Sequence, residues 1–203
     1  GVDVPRSPVC CGLTWISTGQ LGVAKHVLRR TLDVLRPVLR SGTPVVVLEP
    51  SCATVFRSDL LDLLHGDDDA RRLAEQTYTL GQLLRARAPD WHPPHHGGAA
   101  VVQQHCHQHA VLRYADEAQL LDDAGVMADI LDSGCCGLAG NFGVEKGHYE
   151  VSVAVAEQQL RPAVAAAPAD TEILADGFSC RTQLADLTER RGRHLAQLLA
   201  DHL

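Results

Sequence analysis

The chain is short of aromatic side chains, short of basic ones, and has no long hydrophobic run. Only 4% of its 203 residues are Phe, Trp or Tyr, too few for the stacking platform on which single-stranded nucleic acid binds. Lys and Arg number 18 against 25 Asp and Glu, a net charge of -7, and no basic block occurs. Nucleic acid and an anionic membrane are therefore set aside as primary partners. The longest apolar runs, such as residues 45–48, fall far short of the about 20 residues that a membrane-spanning helix needs. Nothing near Gly1 reads as a charged segment leading into an apolar one, so no secretory signal is expected. No Cys-x-x-Cys occurs either, which excludes ferredoxin-type ligand runs, zinc ribbons and thioredoxin-like redox pairs.

What the chain does have is 7 Cys and 11 His in a background that is 45% hydrophobic and 21% charged. That balance excludes disorder. A chain of this length buries roughly 70% of its unfolded surface and needs no covalent or metal staple simply to fold. With no secretion signal, the thiols read as reduced groups serving chemistry or metal binding rather than a disulfide framework.

Short apolar runs at residues 43–48, 99–102, 128–131 and 172–175 read as buried strands, and segments of helical period lie between them. Leu21, Ala24, Leu28, Leu32 and Leu35 hold one face of the first helix, whose end Pro37 should kink. Val55, Phe56, Leu60 and Leu63 mark a second helix, and Leu73, Thr77, Leu80 and Leu84 a third. Residues 114–124, 144–164 and 184–202 follow. Strands alternating with helices predict an α/β fold with a parallel sheet.

The two halves resemble each other. Cys10-Cys11-Gly12-Leu13 recurs as Cys135-Cys136-Gly137-Leu138. A Ser-Cys pair follows each, 40 residues separating Cys11 from Cys52 and 43 separating Cys136 from Cys180. Both pairs come after a predicted strand and an acidic residue, Glu49 or Asp176. The reading is a duplication: two pseudo-symmetric repeats of short parallel strands with flanking helices, their cysteines at the C-terminal ends of strands. The first repeat spans 1–88, a Pro- and His-rich linker spans 89–98, and the second repeat spans 99–203. Only nine residues precede Cys10, so the first repeat reads as clipped, and the chain as a piece of a longer protein.

In the second repeat Cys106, Cys135, Cys136 and Cys180 all follow predicted strands, whose carboxyl ends converge on one edge of a parallel sheet. Four thiolates in one place suit an iron–sulfur cluster or zinc. Gly134, Gly137, Gly140 and Gly143 recur every third residue around the central pair, and backbone free of side chains lets N–H groups approach anionic sulfur. The bland alternative is a glycine-rich turn beside structural thiols. Alternation on a strand would turn His105 and His107 away from Cys106; only if the strand has ended could one of them reach a metal. His92, His95 and His96 lie among prolines and read as solvated. Glu145, Lys146 and His148 read as the exposed opening of a helix, near enough to gate an electron acceptor or proton. Glu49 and Asp176 are expected to hold the cysteine loops by accepting backbone N–H bonds.

These residues carry a family resemblance. The Cys-Cys-Gly pair, with one Cys upstream and another downstream, resembles the cysteine-rich CCG domain found in heterodisulfide reductase and in the glycolate oxidase iron–sulfur subunit. Residues 48–52, 105–107, 132–149 and 175–181 resemble more specifically the C-terminal region of FAD-linked D-lactate, glycolate and D-2-hydroxyglutarate dehydrogenases. The resemblance implies electrons passing from a flavin through clusters, of 4Fe-4S type here, to a quinone or another acceptor. Its cluster ligands would be Cys106, Cys135, Cys136 and Cys180, with Cys10, Cys11 and Cys52 as a lesser set that suits zinc or a labile cluster. It also implies a flavin domain and a ferredoxin-like segment before Gly1, so this chain alone is not expected to oxidise a hydroxy acid. The location it implies is cytoplasmic, or peripheral at the inner face of the membrane. The fuller family pattern ends in Cys-x-x-Cys, which Cys180-Arg181-Thr182-Gln183 and Cys52-Ala53-Thr54-Val55 both lack.

Two further functions compete. The thiols could stabilise a zinc-bound docking domain without a redox role. A thiol–disulfide enzyme is disfavoured, because adjacent cysteines form only a strained disulfide and no resolving pair exists.

Overall fold

The computed structural model describes residues 1–201, which divide into two compact units, Gly1–Thr79 and the chain from Leu80 onward. The division falls before the linker at 89–98, because the helix ahead of that linker packs with the chain beyond it.

The first unit is mainly helical. Its elements are α1 (Leu13–Ser17), α2 (Leu21–Arg40), β1 (Val45–Val46), α3 (Pro50–Arg57), α4 (Asp59–Leu63), α5 (Asp68–Gln76) and β2 (Thr77–Tyr78). Leu28, Leu32, Leu35 and Leu39 recur at helical spacing on α2 and bury against Val55 and Phe56 of α3, Leu60 of α4, and Ala70 and Leu73 of α5. Each buried Leu contributes about 1.5–3 kcal/mol of transfer free energy. Pro37 does not end α2, which runs on to Arg40.

Residues 43–48 shrink to a two-residue strand, paired in parallel with β2 through Val45↔Thr77 and Val46↔Tyr78. That partner interrupts the helix expected from Leu73 to Leu84. Thr77 and Tyr78 are good strand formers on a helical-looking apolar stripe, and tertiary pairing decided between the two.

The second unit is a layered α/β arrangement. After α6 (Leu80–Arg87) come β3 (Ala99–Val102), a π-helical turn at Gln108–Leu112, α7 (Ala115–Asp123) and β4 (Met127–Ile130). A 3-10 turn at Phe142–Val144, α8 (Tyr149–Ala156), α9 (Leu160–Ala166), β5 (Glu172–Leu174), α10 (Phe178–Leu187) and α11 (Leu195–Ala200) complete it. The strands are parallel in the order β4-β3-β5.

Alternation sorts the core of this unit. Ala100, Val102 and Leu174 face a cluster with Leu120 and Leu121 of α7 and Leu195 and Leu198 of α11. Leu80 and Leu84 of α6 pack against that same cluster. Val101, Ile173 and Ala175 face the opposite cluster, with Leu160 and Val164 of α9 and Leu184 of α10. Cys136 and Cys180 belong to this second cluster. The long helix expected over 144–164 is instead a short turn and two helices, and the segment expected over 184–202 is α10, begun earlier at Phe178, followed by α11. His202 lies outside the described residues. None of the described helices is long and apolar enough to cross a membrane.

Candidate metal centre

Three parallel strands bring their C-terminal ends to one edge, and the strand order places the Cys106 segment between the other two. Beyond β3 the backbone leaves extended form and turns helical at Cys106. The alternation argument for His105 and His107 therefore does not apply, because the strand has ended at Val102. Beyond β4 lies the loop that carries Cys135 and Cys136. Beyond β5, Cys180 is the third residue of α10.

The thiols meet. Cys135 lies near enough to Cys106 and Cys136, and Cys136 to Cys180, for their thiols to interact electrostatically. Donation from Cys106, then from Cys136, pulls the Cys135 thiol well below its ordinary range; the Gly137 N–H and the nearby His105 help. The same contacts push Cys106 and Cys136 up, reinforced by burial. These directions make Cys135 more readily ionised than Cys106 or Cys136, and all seven cysteines of the chain are free of disulfides.

In the first unit Cys11 and Cys52 approach to 2.8 Å between sulfurs. Donation from Cys52 lowers the Cys11 thiol, while Cys52 is raised by that bond and by burial. Cys10 lies exposed beside them. Its backbone N–H donates to the Thr31 hydroxyl at 3.0 Å, which donates back to the Cys10 carbonyl at 2.9 Å.

The local chemistry of the two Cys-Cys-Gly loops matches. The Gly12 N–H points at Cys10 Sγ at 3.4 Å, and the Gly137 N–H at Cys135 Sγ at 3.3 Å. Both glycines have positive φ, 78° and 98°, a conformation that glycine adopts without steric cost. The remaining glycines of the second loop have other duties. Gly134 and Gly140 hold positive φ in open space, and Gly143 packs under the Ser152 side chain. Ala139 takes a φ of 46° between them without being glycine, a left-handed conformation that costs roughly 1–2 kcal/mol.

Glu49 caps α3 as expected, accepting from the Ser51 N–H at 3.4 Å and the Ser51 hydroxyl at 2.7 Å. Asp176 does not hold its own loop. Its carboxylate accepts instead from Gln108 Nε2 and from the Leu195 N–H. Glu145 and Lys146 are exposed ahead of α8 rather than in it, and His148 stacks on Phe142 with ring centroids 4.3 Å apart. His92 and His95 are exposed, while His96 is half-buried with its Nε2 3.9 Å from Asp201 Oδ2.

His105 is buried, accepts the His107 N–H at Nδ1 (3.1 Å), and holds that nitrogen 3.9 Å from Cys106 Sγ. Sequence reasoning missed the supports around the thiols: Thr31 behind Cys10, Gln103 accepting from Ser133 at 2.9 Å, and Gln183 donating to Ser152 beside Gly137. Thr31 alone left a signal, a polar residue three positions after Leu28 on the buried stripe of α2.

Comparison with known families matches residues 102–185 to the cysteine-rich domain named CCG. That stretch lies within the second unit and takes in Cys106, Cys135, Cys136 and Cys180. Among curated relatives, D-2-hydroxyglutarate dehydrogenase of Pseudomonas putida is 26% identical over 186 residues, 91% of this chain and 18% of that protein. The C subunit of the anaerobic glycerol-3-phosphate dehydrogenase of Escherichia coli is 25% identical over 100% of this chain and 52% of its own length. The chain spans only part of the length of these two relatives. Lactate utilization protein A of Geobacillus kaustophilus is 27% identical over 98% of this chain and 85% of its own. No solved structure matches the chain.

The donor chemistry of the second unit fits an iron–sulfur or zinc centre: four soft sulfur donors, one of them, Cys135, shifted toward ionisation and with a backbone N–H aimed at it. Among the described residues no group of three or more His, Cys, Asp or Glu is arranged to hold a metal ion.

Proposed function

We propose that the chain is the iron–sulfur electron-transfer module of a flavin-linked dehydrogenase of the 2-hydroxy-acid class. Cys106, Cys135, Cys136 and Cys180 would hold the centre, and the convergence of their segments beyond the C-terminal ends of three adjacent parallel strands, with Cys136 and Cys180 buried in one cluster, carries the reading. Three of the matched relatives are named for dehydrogenases or for lactate utilisation, in keeping with a redox module. When bound, a cluster of 4Fe-4S type would supply one-electron transfer between a flavin domain, of the same or a partner chain, and a quinone or other acceptor. The protein's own part is to present thiolates, to aim the Gly137 N–H at Cys135 sulfur, and to bury Cys136 and Cys180 from water. Gly134, Gly137 and Gly140 shape that loop, and His105 and His107 lie beside Cys106, with His105 Nδ1 3.9 Å from its sulfur. The set of Cys10, Cys11 and Cys52 is assigned to the scaffold.

The test is the visible spectrum and metal content of anaerobically purified protein. A brown sample with iron and sulfide in equal amounts supports the assignment, through the thiolate-to-iron charge transfer typical of cysteinyl clusters. A colourless protein with stoichiometric zinc overturns it in favour of a docking domain.

A further inference from the structure

The thiol site is tied together by a buried polar pair, of which Gln108 lies outside the cysteine motifs. Gln108 and Asp176 are 1% and 6% exposed. Gln108 Oε1 accepts the backbone N–H of His105 at 3.2 Å, and Gln108 Nε2 donates to Asp176 Oδ2 at 3.1 Å. Asp176 Oδ1 accepts the N–H of Leu195, the first residue of α11, at 2.9 Å, with His194 Nδ1 3.5 Å away. His105 immediately precedes Cys106. Asp176 immediately precedes Gly177, where any Cβ would run into the His105 ring. The pair therefore joins the turn bearing Cys106 to the strand end that leads to Cys180, two segments that β3 and β5 bring side by side.

The orientation of the amide is dictated. A carboxylate only accepts, so Gln108 must turn its NH2 toward Asp176 and its oxygen toward the His105 N–H. Reversing it would set N–H against N–H at the residue beside Cys106. We propose that Asp176 and Gln108 are positioning residues for the four-thiol site, setting the approach of Cys106 to the other sulfurs before any metal arrives. The proposal rests on the reading of those thiols as one ligand set, and it assigns neither residue contact with the metal. Supports of this outlying kind typically change metal affinity by roughly 10–100-fold.

The chemistry offers a swap. With Q108E and D176N together, one oxygen of the carboxylate introduced at position 108 still accepts from His105. Its other oxygen accepts from the amide NH2 introduced at position 176, whose own oxygen still accepts from Leu195. Either substitution alone sets like against like, two carboxylates in Q108E or two N–H donors in D176N. The experiment titrates cobalt(II) into the reduced full chain, reads thiolate-to-metal charge transfer, and follows thermal midpoints in parallel. Each single variant should bind cobalt about 10–100-fold more weakly, and the double variant should return to within a few-fold of the native protein. Lowered midpoints with unchanged cobalt affinity, or a double variant no better than the worse single, would overturn the proposal.

Iodoacetamide labelling of metal-free protein, read cysteine by cysteine, keeps the test independent of metal. Cys106 should react faster in both singles and at the native rate in the double. If cobalt binding proves indifferent to C136S, the proposed function falls, while the labelling rates still decide for or against the positioning pair.

Discussion

The two Cys-Cys-Gly loops begin alike and end differently. In each, the glycine takes a left-handed conformation and turns its N–H onto the sulfur two residues back. After Gly12 the chain winds straight into α1, with Trp15 and Ile16 half-buried. After Gly137 it runs on through Ala139 and Gly140 as an open turn. A Cβ on Gly12 would sit 3.6 Å from the nearest atom, whereas on Gly137 it would collide with the Ser152 carbonyl oxygen. The same four-residue motif is thus a helix start in one unit and a tightly pinned open loop in the other. Motif identity reports local hydrogen bonding, and the packing behind the motif decides how much metal chemistry it can support.

The largest effect should come from the cysteines. Changing Cys136→Ser is expected to remove most of the bound metal, while Cys52→Ser leaves the second unit's centre filled; equal losses in metal analysis would erase the proposed division between the units. Binding should also weaken as pH falls, since protons compete for thiolate ligands.

Next come the glycines. Gly137→Ala adds a collision with backbone to the strain of a positive φ and should cost about 3 kcal/mol or more. Gly12→Ala meets only ordinary contact and should cost about 1–2 kcal/mol. Trp15 and Trp91 are the only tryptophans, one per unit, so denaturant titrations of single-Trp variants read each unit separately. Similar losses in both would contradict the packing difference.

Acid should separate the units in a second way. In the first unit Asp69 joins α5 to α2 through Arg36 Nε at 2.9 Å and also pairs with Arg72. The Arg36 hydrogen bond leads in holding its carboxyl below the ordinary value. A depressed folded pKa contributes stability above the unfolded value of about 3.9, lost as pH falls through the lower folded value. Asp69→Asn should therefore destabilise the first unit at neutral pH, by an amount that shrinks below about pH 4. A pH-independent difference in the Trp15 unfolding curve would disprove the linkage.

The smallest expected effect is a gain. Replacing Ala139 by Gly relieves a left-handed φ of 46° and should stabilise the second unit by up to about 1 kcal/mol. An unchanged Trp91 midpoint would mean that the loop relaxes at no cost.

Much of this was legible in the residues. Apolar runs marked β1, β3, β4 and β5 to within a few positions, but β4, expected to be buried, is an edge strand with Met127, Asp129 and Ile130 exposed. The spacing of Cys106, Cys135-Cys136 and Cys180 beyond those strands pointed to one site, because parallel strands end together. Less legible were β2, two residues long inside a helical stripe, and the helical start at Cys106, which removed the strand geometry that His105 and His107 would have followed. Asp176 looked like a local cap and is a long-range acceptor.

By itself, then, the sequence determined the alternation of short strands with helices, the buried leucine stripe of α2 and which seven residues carry sulfur, since hydrophobic period and residue chemistry are local properties. Only the tertiary structure decided that α6 packs with the second unit, that Cys136 and Cys180 share one buried cluster, and that Gln108 spans from His105 to Asp176. Each of these depends on atoms far apart in the chain arriving within hydrogen-bond or van der Waals distance, where a small shift changes the energy and no spacing along the sequence records it.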